Sequence, residues 1–272
     1  MNKIKLLAFL FALIPSLLFS QQAAIDSVGN TEPVKKVKKV IIPTITYNNS
    51  FKAIFGFMAS GFYDLKAHDT ISPKSSSTLI WTYSTNDTWY VVQANKFYIN
   101  EDKYRSTLIG GFGSVNFQTF VDWSDIIGGL PPGIIPVPPP DDGVFLGYNT
   151  KFQFVYLDFL ARVYKKLYIG ANLVYSHALT EFDAPGVPGE EVNLFGFGFA
   201  SEYDTRNNQF MPLSGFNGKF STMSFLENLG SSSNYTNVNI EYNKYFPQGE
   251  RNTILLRAYG QAAIGDVPLS LW

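Results

Sequence analysis

Between Val238 and Lys244 hydrophobic and polar residues alternate, with Val238, Ile240 and Tyr242 on one side and Asn237, Asn239, Glu241 and Asn243 on the other. A period of two predicts a strand, because successive side chains leave a pleated backbone on opposite faces. The alternation resumes after the turn-like stretch Phe246 to Glu250, with Leu256, Ala258, Ala262 and Ile264 opposed to Arg257, Tyr259 and Gln261. A hairpin centred on Gly249 sets Glu241 across from Arg257, Asn237 across from Gln261 and Ile240 across from Ala258. Each arm reads as strand for roughly ten residues, close to the ~9 to 11 that a tilted strand needs to cross a bilayer. Soluble strands average about five or six. The expectation is an apolar flank against lipid and a polar flank around a lumen.

Eight more segments follow the same rule, making about ten. Ala53 to Leu65 is rich in Phe and Gly, and Ser77 to Ser84 places Leu79, Trp81 and Tyr83 opposite Thr78 and Thr82. In the third segment Tyr90, Val92 and Ala94 oppose Gln93 and Asn95. Tyr104 to Phe120 contains Gly110, Gly111 and Gly113, which predicts a bend or a bulge. Phe152 to Tyr164 and Leu167 to His177 flank a tight Lys165-Lys166 turn, and Leu167, Ile169, Ala171, Leu173 and Tyr175 share one face. Next, Phe195, Phe197, Phe199 and Tyr203 oppose Gly196, Gly198, Glu202 and Asp204, and Phe216 to Phe225 completes the set. Between strands, the proline-rich stretch Asp122 to Gly147 and the stretch Asp183 to Glu191 predict long loops, which outer-membrane barrels place outside the cell.

Composition strengthens the membrane reading. Only 16% of the 272 residues are charged, against about 25% in soluble domains. The 24 Phe and 16 Tyr fit aromatic girdles. A net charge of −1 argues against nucleic acid as a partner, and the absence of cysteine removes disulfides and thiolate metal sites.

The chain divides into three parts. Residues 1–20, with Lys3 and Lys5 before the apolar run Leu6 to Phe19, have the form of a secretory signal peptide, cleaved after Ser20. Residues 21–42 read as a flexible basic periplasmic tail carrying Lys35, Lys36, Lys38 and Lys39. Residues 43–272 form the barrel region.

Candidates for chemistry are few. The two histidines, His68 and His177, lie in different segments, and with no cysteine a zinc site would need a carboxylate cluster that the sequence does not offer. Ser176 and His177 suggest an outer-membrane phospholipase, but neighbours on a strand point to opposite faces and cannot pair as nucleophile and base. No catalytic residue, cofactor or metal is expected. Glu241 and Arg257 form a lumen pair, either compensating charge and fixing register or contributing to an ion-selective constriction.

The most specific string is YDTRNNQFMPLSG, Tyr203 to Gly215. It resembles the Omp85 superfamily, the BamA/TamA-type assembly factors also called bacterial surface antigens, in which an Asp-x-Arg pair at a strand end precedes a turn with Pro and Gly. Those positions here are Asp204, Arg206, Pro212 and Gly215. The residues themselves predict that Asp204 and Arg206 share a face and pair at the rim while Pro212 and Gly215 shape the connection. The resemblance implies an antiparallel transmembrane β-barrel in the bacterial outer membrane, with lipid, nascent outer-membrane proteins or barrel-assembly components as partners. It also implies a role in insertion or translocation. A structural or pore-forming barrel without insertase activity is the alternative. The chain has no room for periplasmic POTRA domains before Pro43, and about ten strands are fewer than a full-length relative carries. The expectation is therefore a fragment, a short barrel that closes directly, or self-association that completes it. The aromatic Trp272 resembles an outer-membrane sorting signal interrupted by Pro268.

Overall fold

The computed structural model describes residues 37–66, 68–121, 144–183 and 188–267. The signal peptide, most of the basic tail, the prolines of the long loop and Trp272 lie outside the described residues. Eleven strands form one sheet in which every strand neighbours the next in sequence: β1 Lys38–Asn48, β2 Lys52–Tyr63, β3 Ser75–Ser84, β4 Trp89–Ile99, β5 Tyr104–Val121, β6 Val144–Tyr164, β7 Leu167–Phe182, β8 Glu190–Asp204, β9 Gly215–Phe225, β10 Tyr235–Gln248 and β11 Asn252–Gly265. All ten pairings are antiparallel. Among the described residues β1 pairs only with β2 and β11 only with β10, so the sheet is open. This is the all-β antiparallel fold expected, with one strand more.

The additional strand is β1. Its first five residues, Lys38 to Ile42, correct the assignment of 21–42 to a flexible tail. The lysines and Pro43 masked the strand pattern, yet proline is tolerated on an edge strand, where its missing donor breaks no ladder bond. Val144 to Gly147 likewise belong to β6 and Glu190 and Glu191 to β8, so both predicted loops are shorter than expected.

The sheet coils. Arg105 on β5 bonds to Glu202 on β8 across two intervening strands. Phe62 at the end of β2 meets Phe210, beyond β8, ring edge to face at 5.4 Å. Such contacts define a concave inner face. Following the cross-strand partners from Arg105, the inner face takes the odd positions of β5, β9, β10 and β11 and the even positions of the other strands. On β7 and β8 this matches expectation: Leu173, Tyr175, Phe195, Phe197, Phe199 and Tyr203 are outward and exposed, while Asn172, Glu202 and Asp204 are inward and buried.

On β4 the faces are the reverse of those expected. Tyr90, Val92 and Ala94 share the inner face with Lys96 and Tyr98, and Gln93 and Asn95 point outward. Two local facts permit this. Gln93 Nε2 donates to Asn95 Oδ1 at 3.0 Å, so part of the outward polarity is satisfied in place. The cross-strand partner of Val92 is Gly111, where an added Cβ would stand 3.0 Å from both Phe154 Cε1 and Val92 Cγ2. The glycine leaves room for bulky neighbours on the inner wall. Gly111 and Gly113 therefore make space, and the expected bend or bulge at Gly110 to Gly113 is not a bulge, since β5 pairs in unbroken register with β4 and β6. A register shift occurs instead between Arg162 and Tyr164, beside the Lys165-Lys166 turn.

The β10–β11 hairpin is displaced by two residues from its expected register. Gln248 pairs with Asn252 around a three-residue turn centred on Glu250, with Gly249 at φ +71°. Asn243 therefore faces Arg257, Glu241 faces Tyr259, Asn239 faces Gln261 and Tyr242 faces Ala258. A shift of two leaves every side chain on its original face, so Glu241 and Arg257 both point inward.

Candidate functional site

Alternate connections lie at the same end of an antiparallel meander. The β2–β3, β4–β5, β6–β7, β8–β9 and β10–β11 connections share one end, and the inner face near it is charged. Its centre is Arg105, which is 3% exposed. Arg105 Nε and Nη2 donate to the two carboxylate oxygens of Asp102, both at 2.8 Å. Nη1 donates to Glu202 Oε2 and Asp204 Oδ2, both at 3.0 Å, and Nη2 to Tyr168 Oη at 3.1 Å. The guanidinium lies 3.8 Å from the centre of the Tyr168 ring, and that hydroxyl donates to Asp102 Oδ2 at 2.6 Å. A planar, always-charged fork suits this role where a lysine ammonium would not.

The motif residues join the same network. Arg206 Nε and Nη2 grip the two oxygens of Asp204 at 2.9 Å each. Its Nη2 also donates to Gln209 Oε1 at 2.6 Å, and Gln209 Nε2 returns a bond to Asp204. Burial works against the Arg206 charge, but the Asp204 carboxylate more than offsets this and raises the Arg206 pKa. The expected Asp204–Arg206 pair thus forms. It is not an exposed rim contact, however: the Asp204 side chain is fully buried and that of Arg206 nearly so. The reason is the Arg105 side chain, which reaches Asp204 from β5.

Two asparagines of the motif build the connection. Asn207 Oδ1 accepts the backbone N–H groups of Leu213 and Ser214, which directly follow Pro212, and Asn208 Oδ1 accepts those of Phe210 and Met211. Gly215 closes it at φ +99°, a left-handed backbone that L side chains avoid, with the Thr205 backbone against the space a Cβ would need.

A second connection braces the first. Asn100, Glu101 and Asp102 have φ of 55°, 59° and 59°, three successive left-handed residues without a glycine, a strained arrangement that must be held from outside. Asp69 and Ser72 hold it. Asp69 Oδ2 accepts the Glu101 N–H at 3.0 Å, Ser72 Oγ accepts the Asp102 N–H at 2.8 Å, and Ser72 donates to Asp69. Bonds from the Ser72 N–H and hydroxyl hold the Asp69 carboxyl well below the usual range.

Beside Arg105, a 240 Å³ cavity is lined by Lys96, Thr107, Tyr156, Asp158, Glu202 and Lys219, among others. Glu241 and Arg257 stand apart from it and form their own ion pair at 3.1 Å, diagonally across the ladder, with Arg257 59% exposed. Ser176 and His177 occupy opposite faces as the strand period requires, and His177 Nδ1 lies 2.9 Å from Asn193 Oδ1. Among the described residues no group of three His, Asp or Glu side chains could hold a metal ion. Sequence reasoning missed Arg105, Asp102, Tyr168 and Lys96. The available signal was Lys96 and Arg105 at inward positions of β4 and β5 and an acid, Asp102, in the turn between them, which cannot be matched to Tyr168, Glu202 or Asp204 until the sheet is coiled.

No curated protein matches this sequence. Among solved structures, one that it resembles is BamA from Haemophilus ducreyi lacking POTRA domains 1–3, at 14% identity and a TM-score of 0.48. That likeness covers 85% of this chain and 42% of the other, so this chain spans less than half of that one. The Omp85 superfamily domain matches residues 140–270, a stretch that takes in β6 to β11 and the whole YDTRNNQFMPLSG string. The C-terminal part of the chain, residues 140–270, therefore carries an Omp85 superfamily domain.

Proposed function

We propose that this protein works in the bacterial outer membrane as an Omp85-type barrel that inserts or translocates other outer-membrane proteins. On this reading residues 1–20 direct export, the basic stretch before β1 lies in the periplasm, and the outward aromatic residues contact lipid. The observation that carries the role is the edge of the sheet. Among the described residues β1 has a single ladder partner along its 11 residues, and its outward Ile41, Ile45 and Tyr47 are 71%, 79% and 65% exposed. Soluble proteins blunt such an edge, and hydrocarbon cannot satisfy it. A strand of an incoming chain satisfies it by adding to the ladder.

The test is reconstitution of the natural full-length chain into liposomes, followed by the folding rate of a second outer-membrane barrel. Because the sequence has no cysteine, Ile45→Cys gives a single site for disulfide capture of a cysteine placed in the client's terminal strand. Faster client folding and capture at Ile45 are expected. Unchanged folding with no captured product would overturn the proposal.

A further inference from the structure

The inner wall above the charged cavity is apolar, and the cross-strand registers place the two surfaces in direct succession. One row across the wall reads Lys96, Thr107, Asp158, Asn172. The next row, two residues along each strand, reads Ala94, Ile109, Tyr156, Val174, and the one after it Val92, Gly111, Phe154, Ser176, Leu194. A further row holds Tyr90, Gly113, Phe152, Ala178 and Val192. Two residues of strand advance about 6.7 Å, so three apolar rows extend for roughly 20 Å beyond the charges. Most of these side chains are only partly buried, although they face the inside.

Charge at the lower end of this wall is unevenly matched. Arg105 is saturated by Asp102, Glu202 and Asp204. Glu202 is saturated in turn, accepting from Arg105 and, at 2.6 Å, from Asn217 Nδ2. Asp158 accepts the Thr107 N–H at 3.2 Å. Lys96 Nζ and Lys219 Nζ form no ion pair within 4.0 Å among the described residues, and the Lys96 ammonium rests over the Tyr98 ring at 5.3 Å. Two ammonium groups facing one cavity, below an apolar wall, match a molecule with an anionic head and a hydrocarbon tail.

We propose that the interior binds a single-chain anionic amphiphile, with its carboxylate or phosphate head between Lys96 and Lys219 and its tail along Val92, Ile109 and Phe154. The head gives the two lysines a direct ion pair, which Glu202 and Glu241, across the ladder from Lys219, do not form with them, and the tail covers the part of the wall that is not already packed against Leu194, Met223, Phe225 and Tyr235. Insertion of client proteins and this binding are separate properties, so either can fail alone.

The strand period makes the test sharp, because lipid contact outside and ligand contact inside label alternate residues of the same strand. Full-length protein in phosphatidylcholine nanodiscs is irradiated with a palmitate analogue carrying a diazirine in its tail, and adducts on β6 are assigned by fragmentation mass spectrometry. Inward labelling at Phe152, Phe154 and Tyr156 is expected in addition to ordinary lipid contact at Val155, Leu157 and Phe159. Labelling confined to the outward set would overturn the proposal. The Lys96→Gln/Lys219→Gln variant should lose inward labelling about tenfold, as removal of charge-assisted contacts predicts, with outward labelling unchanged. Lys96→Arg/Lys219→Arg, which keeps both charges, should retain it, and heat-modifiable gel mobility checks that each variant is folded. Equal inward labelling in the glutamine variant, or by the corresponding uncharged alcohol analogue, would refute recognition of the head. Protection of the inward set by inorganic phosphate alone, without displacement by unlabelled palmitate, would reduce the site to one for a small anion and likewise overturn it.

Discussion

Arg105→Met replaces the centre of the buried network with an apolar side chain of similar length. In the folded protein the guanidinium touches three carboxylates and a tyrosine hydroxyl with five hydrogen bonds between 2.8 and 3.1 Å. Its removal leaves Asp102 with one partner, Tyr168, and Glu202 with Asn217 and the more distant Arg206. Breaking one side of a buried ion pair costs about 3–5 kcal/mol, because the remaining charge stays desolvated. Three carboxylates share the loss here, so the upper part of that range is expected, about 4–5 kcal/mol or roughly a thousandfold in the folding equilibrium. The exposed Lys151–Glu181 pair, with side chains 58% and 57% exposed, is the internal reference. Lys151→Met should change stability by less than about 1 kcal/mol.

The assay is reversible urea unfolding of the protein in lipid vesicles, read by tryptophan fluorescence and by gel mobility. Arg105→Lys keeps one charge but cannot reproduce the fork on Asp102, so it should fall between wild type and Arg105→Met. A double-mutant cycle of Arg105→Met with Asp102→Asn should show strong positive coupling, since Asp102→Asn removes one of the charges that the first substitution strands. If Arg105→Met unfolded within about 1 kcal/mol of wild type, the network would be wet and mobile, and the account of it as the tie between β5 and the β8–β9 connection would be wrong.

Three further outcomes follow from the same contacts. Gly215→Ala puts a Cβ on a left-handed backbone against Thr205, and the urea midpoint should report a loss of about 1–3 kcal/mol. Asp69 has a folded pKa below its unfolded value, so its contribution is complete above the unfolded carboxylate pKa and is lost as pH falls through the folded one. Hydrogen exchange of the Glu101 amide should therefore accelerate only at strongly acid pH in the wild type, whereas Asp69→Asn should exchange fast throughout; an identical profile in both would remove Asp69 as the brace. For Glu241 and Arg257, the diagonal contact and the 59% exposure of Arg257 predict a coupling of only about 0.2–1 kcal/mol in a double-mutant cycle. A larger stability coupling would show a drier environment than the sheet provides, and a change in ion selectivity without any coupling would favour the constriction reading.

The parts of this fold legible in the sequence were those governed by period alone. Phe195, Phe197, Phe199 and Tyr203 announce their face because the opposite one carries glycine and acid, and no tertiary information is needed to see it. Period fails where both faces have reason to be apolar. On β4 the polar Gln93 and Asn95 point outward, where they bond to one another, and Val92 packs inward beside Gly111. A rule that sends every hydrophobic face to lipid assumes a lumen filled with water, and this wall instead changes character along its length, from Lys96 and Asp158 to Val92 and Phe154.

The network escaped for a different reason. Asp204 and Arg206 are two residues apart, so their pairing follows from local geometry, but Arg105 lies 99 residues from Asp204 and meets it only because the sheet coils. Arg105 is a lone inward charge on β5, and in sequence it looks like an isolated solvated residue. Glu202, Asp204 and Arg206 lie within residues 140–270, whereas Arg105 of β5, which donates to both acids, and Asp102, which Arg105 also grips, lie outside that stretch. What the N-terminal strands supply is a shared donor, since Arg105 Nη1 bonds to both Glu202 and Asp204, so the two acids are held together only when β5 is brought against β8.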